Sequence, residues 1–255
     1  MRQEPVPRDW DARTYDRVAD PMARWGAAVL DRLTLEGDEI VLDAGCGTGR
    51  ITEQLAERLP TGRVIALDAS PSMIDVARER LSRFGDRIAY VVADLGRPLP
   101  IPADLPVDAI LSTATFHWVP DHDALFRNLA AVLRPGGRLV AQCGGVGNIA
   151  TIQRVLATVG DGWLGAVHFE SPMATTERLV AAGFTDIQCW LQDEPTRLEP
   201  GEPFRTFLRT VVLGGHMDRL PESERDAFVE EVASQLPEPV IDYVRLNIDA
   251  RRAGG

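Results

Sequence analysis

The run Asp43-Ala-Gly-Cys-Gly-Thr-Gly49 places three glycines and an acid in one short stretch, and two further acids, Asp68 and Asp94, follow downstream. Glycines let a backbone approach a ligand closely, and the free N–H groups that open a following helix attract polar ligand groups. A carboxylate is an acceptor with two oxygens, so Asp68 suits the paired hydroxyls of a ribose, and Asp94 suits an adenine amino group. Three carboxylates around one loop repel an anionic pyrophosphate but suit a ligand that bears a sulfonium and an ammonium. Arg50 stands where a dinucleotide fingerprint wants its last small residue, which disfavours an NAD-linked oxidoreductase. Taken singly, Asp68 or Asp94 could instead cap the helix that follows it.

These residues need a scaffold that gathers them at one end, and the hydropathy pattern supplies it. Short apolar runs at Ile40–Asp43, Val64–Asp68, Ile88–Ala93, Ala109–Ser112 and Arg138–Ala141 alternate with amphipathic stretches, the pattern of a parallel sheet covered on both faces. Ile51, Leu55 and Leu59 form one helical stripe, Met73, Ala77 and Leu81 a second, and Leu125, Leu129 and Val132 a third. Arg134-Pro-Gly-Gly137 ends the third helix and turns into the fifth strand. Right-handed crossovers then give a doubly wound α/β fold with helices on both faces. Farther on, Asp186–Leu191 reads as a sixth strand, and Phe204–Leu213 and Glu222–Leu236 read as helices. Val244, Leu246, Ile248 and Ala250 alternate with polar residues, which predicts a seventh strand with one wetter face, at an edge or antiparallel. The expected organisation is one structural domain: an N-terminal helical cap over 1–32, a ligand-binding core over 33–150, and a part over 151–255 that completes the sheet and carries a helical insertion.

At these residues the chain resembles the class I S-adenosylmethionine-dependent methyltransferases. The carriers are the loop Asp43 to Gly49, the strand-end Asp68, the Ala93-Asp94 pair and the Arg134-Pro-Gly-Gly137 turn. The resemblance implies a Rossmann-like, mostly parallel seven-stranded sheet whose antiparallel last strand lies beside the fifth. It implies S-adenosyl-L-methionine as cofactor: Asp43, Gly45, Cys46, Gly47 and Gly49 would form the loop under its methionine part, and Asp68 would hold the ribose. Ala69 and Met73 would flank the adenine, with Ala93, Asp94 and Leu95 at its edge. Asp9-Trp10-Asp11 with Tyr15, Phe116-His-Trp-Val-Pro-Asp121 and Met217–Phe228 look more narrowly like the trans-aconitate methyltransferase group. One departure stands out. Where that group carries Gly-Leu-Arg-Pro-Phe, this chain has Val212-Leu-Gly-Gly-His216, so Gly214 fills an arginine position. If that arginine holds a polycarboxylate, another small acid or a natural-product hydroxyl competes as acceptor.

Methyl transfer from a sulfonium is an in-line displacement that needs alignment and a dry pocket more than catalytic apparatus. A carboxylate acceptor needs no base, whereas a hydroxyl does. His117, just past the fourth strand, is the candidate for base or substrate orientation, or else a packing residue between Phe116 and Trp118. Trp10, Tyr15 and Trp118 are candidates for an aromatic pocket near the sulfonium, or else core. Arg205 and Arg209, one helical turn apart, could grip a carboxylate, or else be solvated.

Composition narrows the rest. The chain carries 38 acidic and 27 basic residues over 255 positions, a net charge of -11. Every basic residue is arginine, so Schiff-base, P-loop and Ser-x-x-Lys chemistry are excluded. The acidic balance argues against nucleic acid as substrate, as does Thr113-Ala-Thr-Phe116 where base-methylating enzymes carry Asn/Asp-Pro-Pro-Tyr. Cys46, Cys143 and Cys189 have no metal-ligand spacing, nor do the histidines, so no metal is expected. Ser112 lacks a nucleophile elbow. No apolar run is long enough to span a bilayer, and Met1-Arg-Gln-Glu-Pro-Val-Pro lacks a signal core, so a cytoplasmic protein without membrane contact is expected. The resulting expectation is a monomeric methyltransferase acting on a small carboxylate or hydroxyl. Its rival is a cofactor-binding regulator without turnover.

Overall fold

A computed structural model describes residues 8–18, 20–102 and 104–254; residues 1–7 of the expected N-terminal cap lie outside the described residues. In chain order the main elements are α1 (Ala12–Val18), α2 (Asp20–Leu30), β1 (Ile40–Ala44), α3 (Arg50–Glu57), β2 (Arg63–Asp68), α4 (Pro71–Leu81), β3 (Ile88–Val92) and β4 (Val107–Thr113). There follow α5 (His122–Val132), β5 (Leu133–Gly144), α6 (Ala150–Leu156), α7 (Pro172–Ala181), β6 (Phe184–Asp193), β7 (Thr196–Arg197), α8 (Glu202–Phe207), α9 (Gly214–Arg219), α10 (Glu222–Gln235), β8 (Val240–Ile241) and β9 (Val244–Arg252).

Seven strands form one sheet in the order β3-β2-β1-β4-β5-β9-β6, and β7 with β8 form a small separate ribbon. Strands β1 to β5 run parallel, and β9 is antiparallel to both β5 and β6. Each strand splits its side chains between two layers because successive residues point to opposite faces. Leu42, Leu67, Ile110 and Leu139 meet α5 residues Leu125, Phe126 and Leu129 on one face. Val41, Val64, Leu111 and Val140 meet Leu30 of α2, Leu55 of α3 and Ala77 of α4 on the other. Both faces are therefore dry, which explains the near-continuous apolar runs in these strands. A third apolar cluster joins Trp25 of α2 to α6, α8 and α10 and to Tyr243, just before β9.

The helix starts follow local chemistry. Ser70 caps α4 by accepting the Met73 N–H at 3.3 Å, and Asp121 caps α5 by accepting from Ala124 at 2.8 Å. Neither Asp68 nor Asp94 is a helix cap; Asp94 instead accepts the Gly96 N–H in a tight turn.

Three expectations are corrected. Arg134-Pro-Gly-Gly137 is not a plain turn: α5 ends at Val132, and Leu133 already pairs with Val107 before a register shift restores regular pairing at Ala109 and Arg138. The expected helix Phe204–Leu213 is α8 followed by a wider helical turn over Leu208–Val212. Arg245 and Asn247 of β9 do not face water, since β9 lies between β5 and β6 and each is 2% exposed, whereas Arg251 near the end of the strand is exposed. Alternation there marks a polar interior seam: Asn247 accepts from Gln142 at 3.0 Å, Asp249 pairs with Arg138 at 2.7 Å, and α2 covers the same seam, near its end, where Arg32 donates to the Ala141 carbonyl.

Candidate active site

The glycine loop is drawn to the carboxyl end of the sheet by its own backbone. Gly45 and Cys46 donate to the Leu67 carbonyl at 2.8 and 2.9 Å, and Gly47 donates to Asp68 Oδ2 at 2.9 Å. Gly45 has φ +87°, and a Cβ there would sit 2.1 Å from Thr115 Oγ1, so both its conformation and its surroundings require glycine. Helix α1 clamps the loop: Asp16 accepts from Thr48 Oγ1 and pairs with Arg50 and Arg80, while Arg50 also reaches Asp20. Arg50, the residue that breaks the dinucleotide pattern, thus ties the loop to the N-terminal helices.

A cavity of about 330 Å³ opens above the loop. Gly45, Gly47, Asp68, Ala69, Met73, Asp94 and Leu95 line it, as do Trp10, Tyr15 and Trp118. Asp43, Cys46, Gly49 and Ala93 are not on its wall and shape it from behind. Gly49 is the left-handed N-cap of α3, and Ala93 bonds the Asp68 carbonyl. Asp43 is buried beneath the loop, where it accepts from Thr52 Oγ1 at 2.7 Å and leaves Oδ1 unpartnered. Burial, only partly offset by that bond, pushes its carboxyl up to about 7. Burial also raises Asp68, although the Ser70 and Gly47 N–H groups oppose the shift.

The Asp43 shift predicts a pH dependence. The folded state holds the proton more tightly than the unfolded chain, so this group favours folding most at low pH, and its contribution is lost as pH rises toward 7. Asp43→Asn is therefore expected to gain about 3 kcal/mol on the native protein between about pH 5 and pH 8, some two pH units at about 1.4 kcal/mol each. Thermal or urea unfolding of both proteins at the two pH values reads it; equal pH slopes would contradict the burial argument.

A smaller chamber of about 70 Å³ adjoins the cavity and shares Trp10, Tyr15, Trp118, Ala114 and Gly215 with it. Trp10 meets Tyr15 and Trp118 edge-on, at 5.4 and 5.2 Å between ring centres. His117, Asn148, Phe169, His216, Tyr243 and Arg245 are among the other wall residues. Ala114, between the two compartments, has φ +56°, a left-handed conformation costly for a residue with a Cβ.

His117 is buried, and its Nδ1 accepts the Gly144 N–H at 3.3 Å. Burial, aided by the Arg245 charge, holds its pKa well below 6.5. The ring is neutral, and with Nδ1 accepting, its proton sits on Nε2. Arg245 is buried on β9, its guanidinium 4.8 Å from the centre of the Trp25 ring. Among the described residues its Nε and Nη2 have no hydrogen-bond partner, nor has the buried Tyr243 hydroxyl. No motif singles out Arg245 or Tyr243; an arginine inside an apolar strand is their one signal in the sequence, and alternation alone places it on a wetter face.

Arg205 and Arg209 are not at either compartment. Arg205 of α8 pairs with Glu202 and Glu230, and Arg209, on the helical turn after α8, pairs with Asp226 of α10, all on the outer surface. Surface pairs of this kind contribute under about 1 kcal/mol. The double variant Arg205→Ala, Arg209→Ala is expected to leave an acceptor KM within about twofold, as steady-state kinetics would read.

The larger cavity fits S-adenosylmethionine on its own terms. Asp68 and Asp94 on its wall suit a cationic ligand, and the third acid there, Asp218, is paired with Arg8. A Cβ built on Gly47 meets nothing within 4 Å, so the loop leaves open space that a larger residue would fill.

Residues 41–137 match the family model described as a methyltransferase domain. The chain is 30% identical over 235 residues to the trans-aconitate 2-methyltransferase of Methylobacterium radiotolerans, covering 87% of this chain and 86% of that one. It is 39% identical over 134 residues to the enzyme of that name from Methylobacterium nodulans, covering 52% and 49%. Among solved structures it superposes on a Haemonchus contortus phosphoethanolamine N-methyltransferase 2 bound to S-adenosylhomocysteine, with TM-score 0.63, 20% identity, and coverage of 96% and 57%. The [4+2]-cyclase SpnF gives TM-score 0.63 at 20% identity, covering 99% and 86%, so likeness of fold at this distance does not fix the reaction. The family is fixed by the sequence match and by the cofactor cavity: the chain belongs to the class I S-adenosylmethionine-dependent methyltransferases, in the family of the trans-aconitate 2-methyltransferases.

Proposed function

We propose that this methyltransferase esterifies a carboxylate of a small organic acid, and that Arg245 is the group that receives it. The carrying observation is a guanidinium at 2% exposure with two unpartnered nitrogens on the chamber wall. An unpaired buried charge costs several kcal/mol, and a carboxylate that accepts its fork offsets that cost. The relatives named for trans-aconitate methylation point to the same acceptor class.

The cofactor supplies a methyl on a sulfonium, which leaves as a neutral thioether when the methyl moves. Arg245 holds the acceptor as its carboxylate, the form that prevails at neutral pH and needs no base. The neutral His117 directs Nε2–H as a donor and so orients one oxygen; it is not placed to take a proton. That favours a carboxylate over a hydroxyl, which would require a base. Trp10, Tyr15 and Trp118 close the junction of the compartments against water and face a cation with their rings. With the cofactor bound, Asp68 would hold the ribose, and Asp94 with Leu95 would meet the adenine edge.

The test is incubation with methyl-labelled S-adenosylmethionine and a panel of small carboxylic acids that includes trans-aconitate. Alkali-labile labelled product, a methyl ester, is expected. Alkali-stable product on a hydroxyl or amine, or no product from any acid, would overturn the reading.

A further inference from the structure

We infer that Arg8 is a second anion-binding residue of the acceptor site, selecting acids that carry a further carboxylate. The inference rests on the carboxylate reading above and adds a residue and a specificity to it. Its basis is a close fit between the N-terminal strap and α9. A Cβ at Gly214 would lie 1.6 Å from Arg8 Nη1 and 2.3 Å from its Cζ. The guanidinium thus occupies the space that any side chain at 214 would fill, and the glycine is needed for room.

The guanidinium is charged, enclosed and incompletely used. Asp218 pairs with Nε at 2.9 Å, but the Asp218 side chain is 54% exposed, and Arg8 Nη1 is buried without a hydrogen-bond partner among the described residues. Arg8 stacks on Trp10 at 4.3 Å. It lines the larger cavity beside Trp10 and Gly215, the residues through which that cavity joins the Arg245 chamber. One cation therefore sits on the chamber wall and another at its junction, and an acid with two carboxylates can engage both. Neither position is met by lysine, so both clamps are planar forks suited to bidentate carboxylates.

The strap is fixed without Arg8, which makes the assignment testable. Ser70 Oγ bonds Asp9, Trp10 N donates to Ser70 Oγ, and Ser72 Oγ donates to the Trp10 carbonyl. Removing the Arg8 charge leaves these bonds in place.

The experiment measures kcat and KM for crotonate, fumarate and trans-aconitate, which carry one, two and three carboxylates, in the native enzyme, Arg8→Met, Arg8→Lys and Gly214→Ala. Arg8→Met is expected to lower the preference for the multiple acids over crotonate, as kcat/KM, about 30-fold, chiefly through KM. Gly214→Ala, which displaces the guanidinium, is expected to reproduce that loss, and Arg8→Lys to restore part of it. Titration with S-adenosylhomocysteine is expected to move by less than about threefold. An equal effect on all three acids, or a loss of cofactor affinity that accounts for the effect, would overturn the Arg8 assignment alone. Absence of ester from every acid in the native enzyme would overturn the carboxylate reading and the assignment with it.

Discussion

Arg245→Met is expected to raise the KM for the acid acceptor about 100-fold or more while raising the melting temperature. The two effects have one cause. The guanidinium is buried on β9 with Nε and Nη2 unpartnered, so the free protein bears an uncompensated desolvation cost. The Glu194 carboxylate, whose charge acts on it weakly, is itself engaged by Trp25 Nε1 at 3.1 Å. Methionine fills similar space and packs on Trp25 without a charge, so stability rises by about 1–3 kcal/mol. The acceptor loses its charge-assisted fork, worth about 3 kcal/mol or roughly 100-fold in affinity. Steady-state kinetics, thermal unfolding and titration with S-adenosylhomocysteine separate the outcomes. A parallel fall in stability and activity would mean that Arg245 is structural.

Asp68→Ala is expected to weaken cofactor binding by about 1,000-fold or more. Both carboxylate oxygens already accept backbone N–H groups, Ser70 at 2.9 Å and Gly47 at 2.9 Å, which fixes the carboxylate at the end of β2. Two ribose hydroxyls donating to the remaining lone pairs make charge-assisted bonds worth about 1.5–3 kcal/mol each. Removing the carboxylate also releases Gly47 and loosens the glycine loop. Asp68→Asn keeps the shape and one acceptor, so it is expected to fall between the two. Calorimetric titration with S-adenosylhomocysteine reads the effect; a dissociation constant within about threefold of native would remove Asp68 from the cofactor site.

The cofactor half of the site is local information. Asp43 to Gly49, Asp68 and Asp94 each end or follow a strand, and parallel strands joined by right-handed crossovers bring those ends together without further instruction. The same regularity made a parallel sheet covered on both faces legible; the strand order, and the split of Leu42, Leu67 and Ile110 from Val41, Val64 and Leu111, are seen in the fold. The acceptor half is different. Arg205 and Arg209 have helical spacing fit for a clamp, but α10 presents Glu230 and Asp226 to them, so they pair at the surface. Spacing gave them a common face without saying which neighbour that face would meet.

By itself the sequence determined the alternating strands and helices, the glycine loop, the acids of the cofactor cavity and the family, because these depend on residues near one another in the chain. Only the tertiary structure decided the acceptor chamber, whose Arg245 and Tyr243 stand beside Trp10 and Tyr15 from the opposite end of the chain. A period of two sorts a strand's residues onto two faces, but what covers each face is set by elements far away in sequence. In β9 that covering turns an alternating arginine from a solvated side chain into a buried, unpaired charge. The absence of lysine is a sequence fact as well; that Arg245 lines the chamber and Arg8 the adjoining cavity follows from the fold.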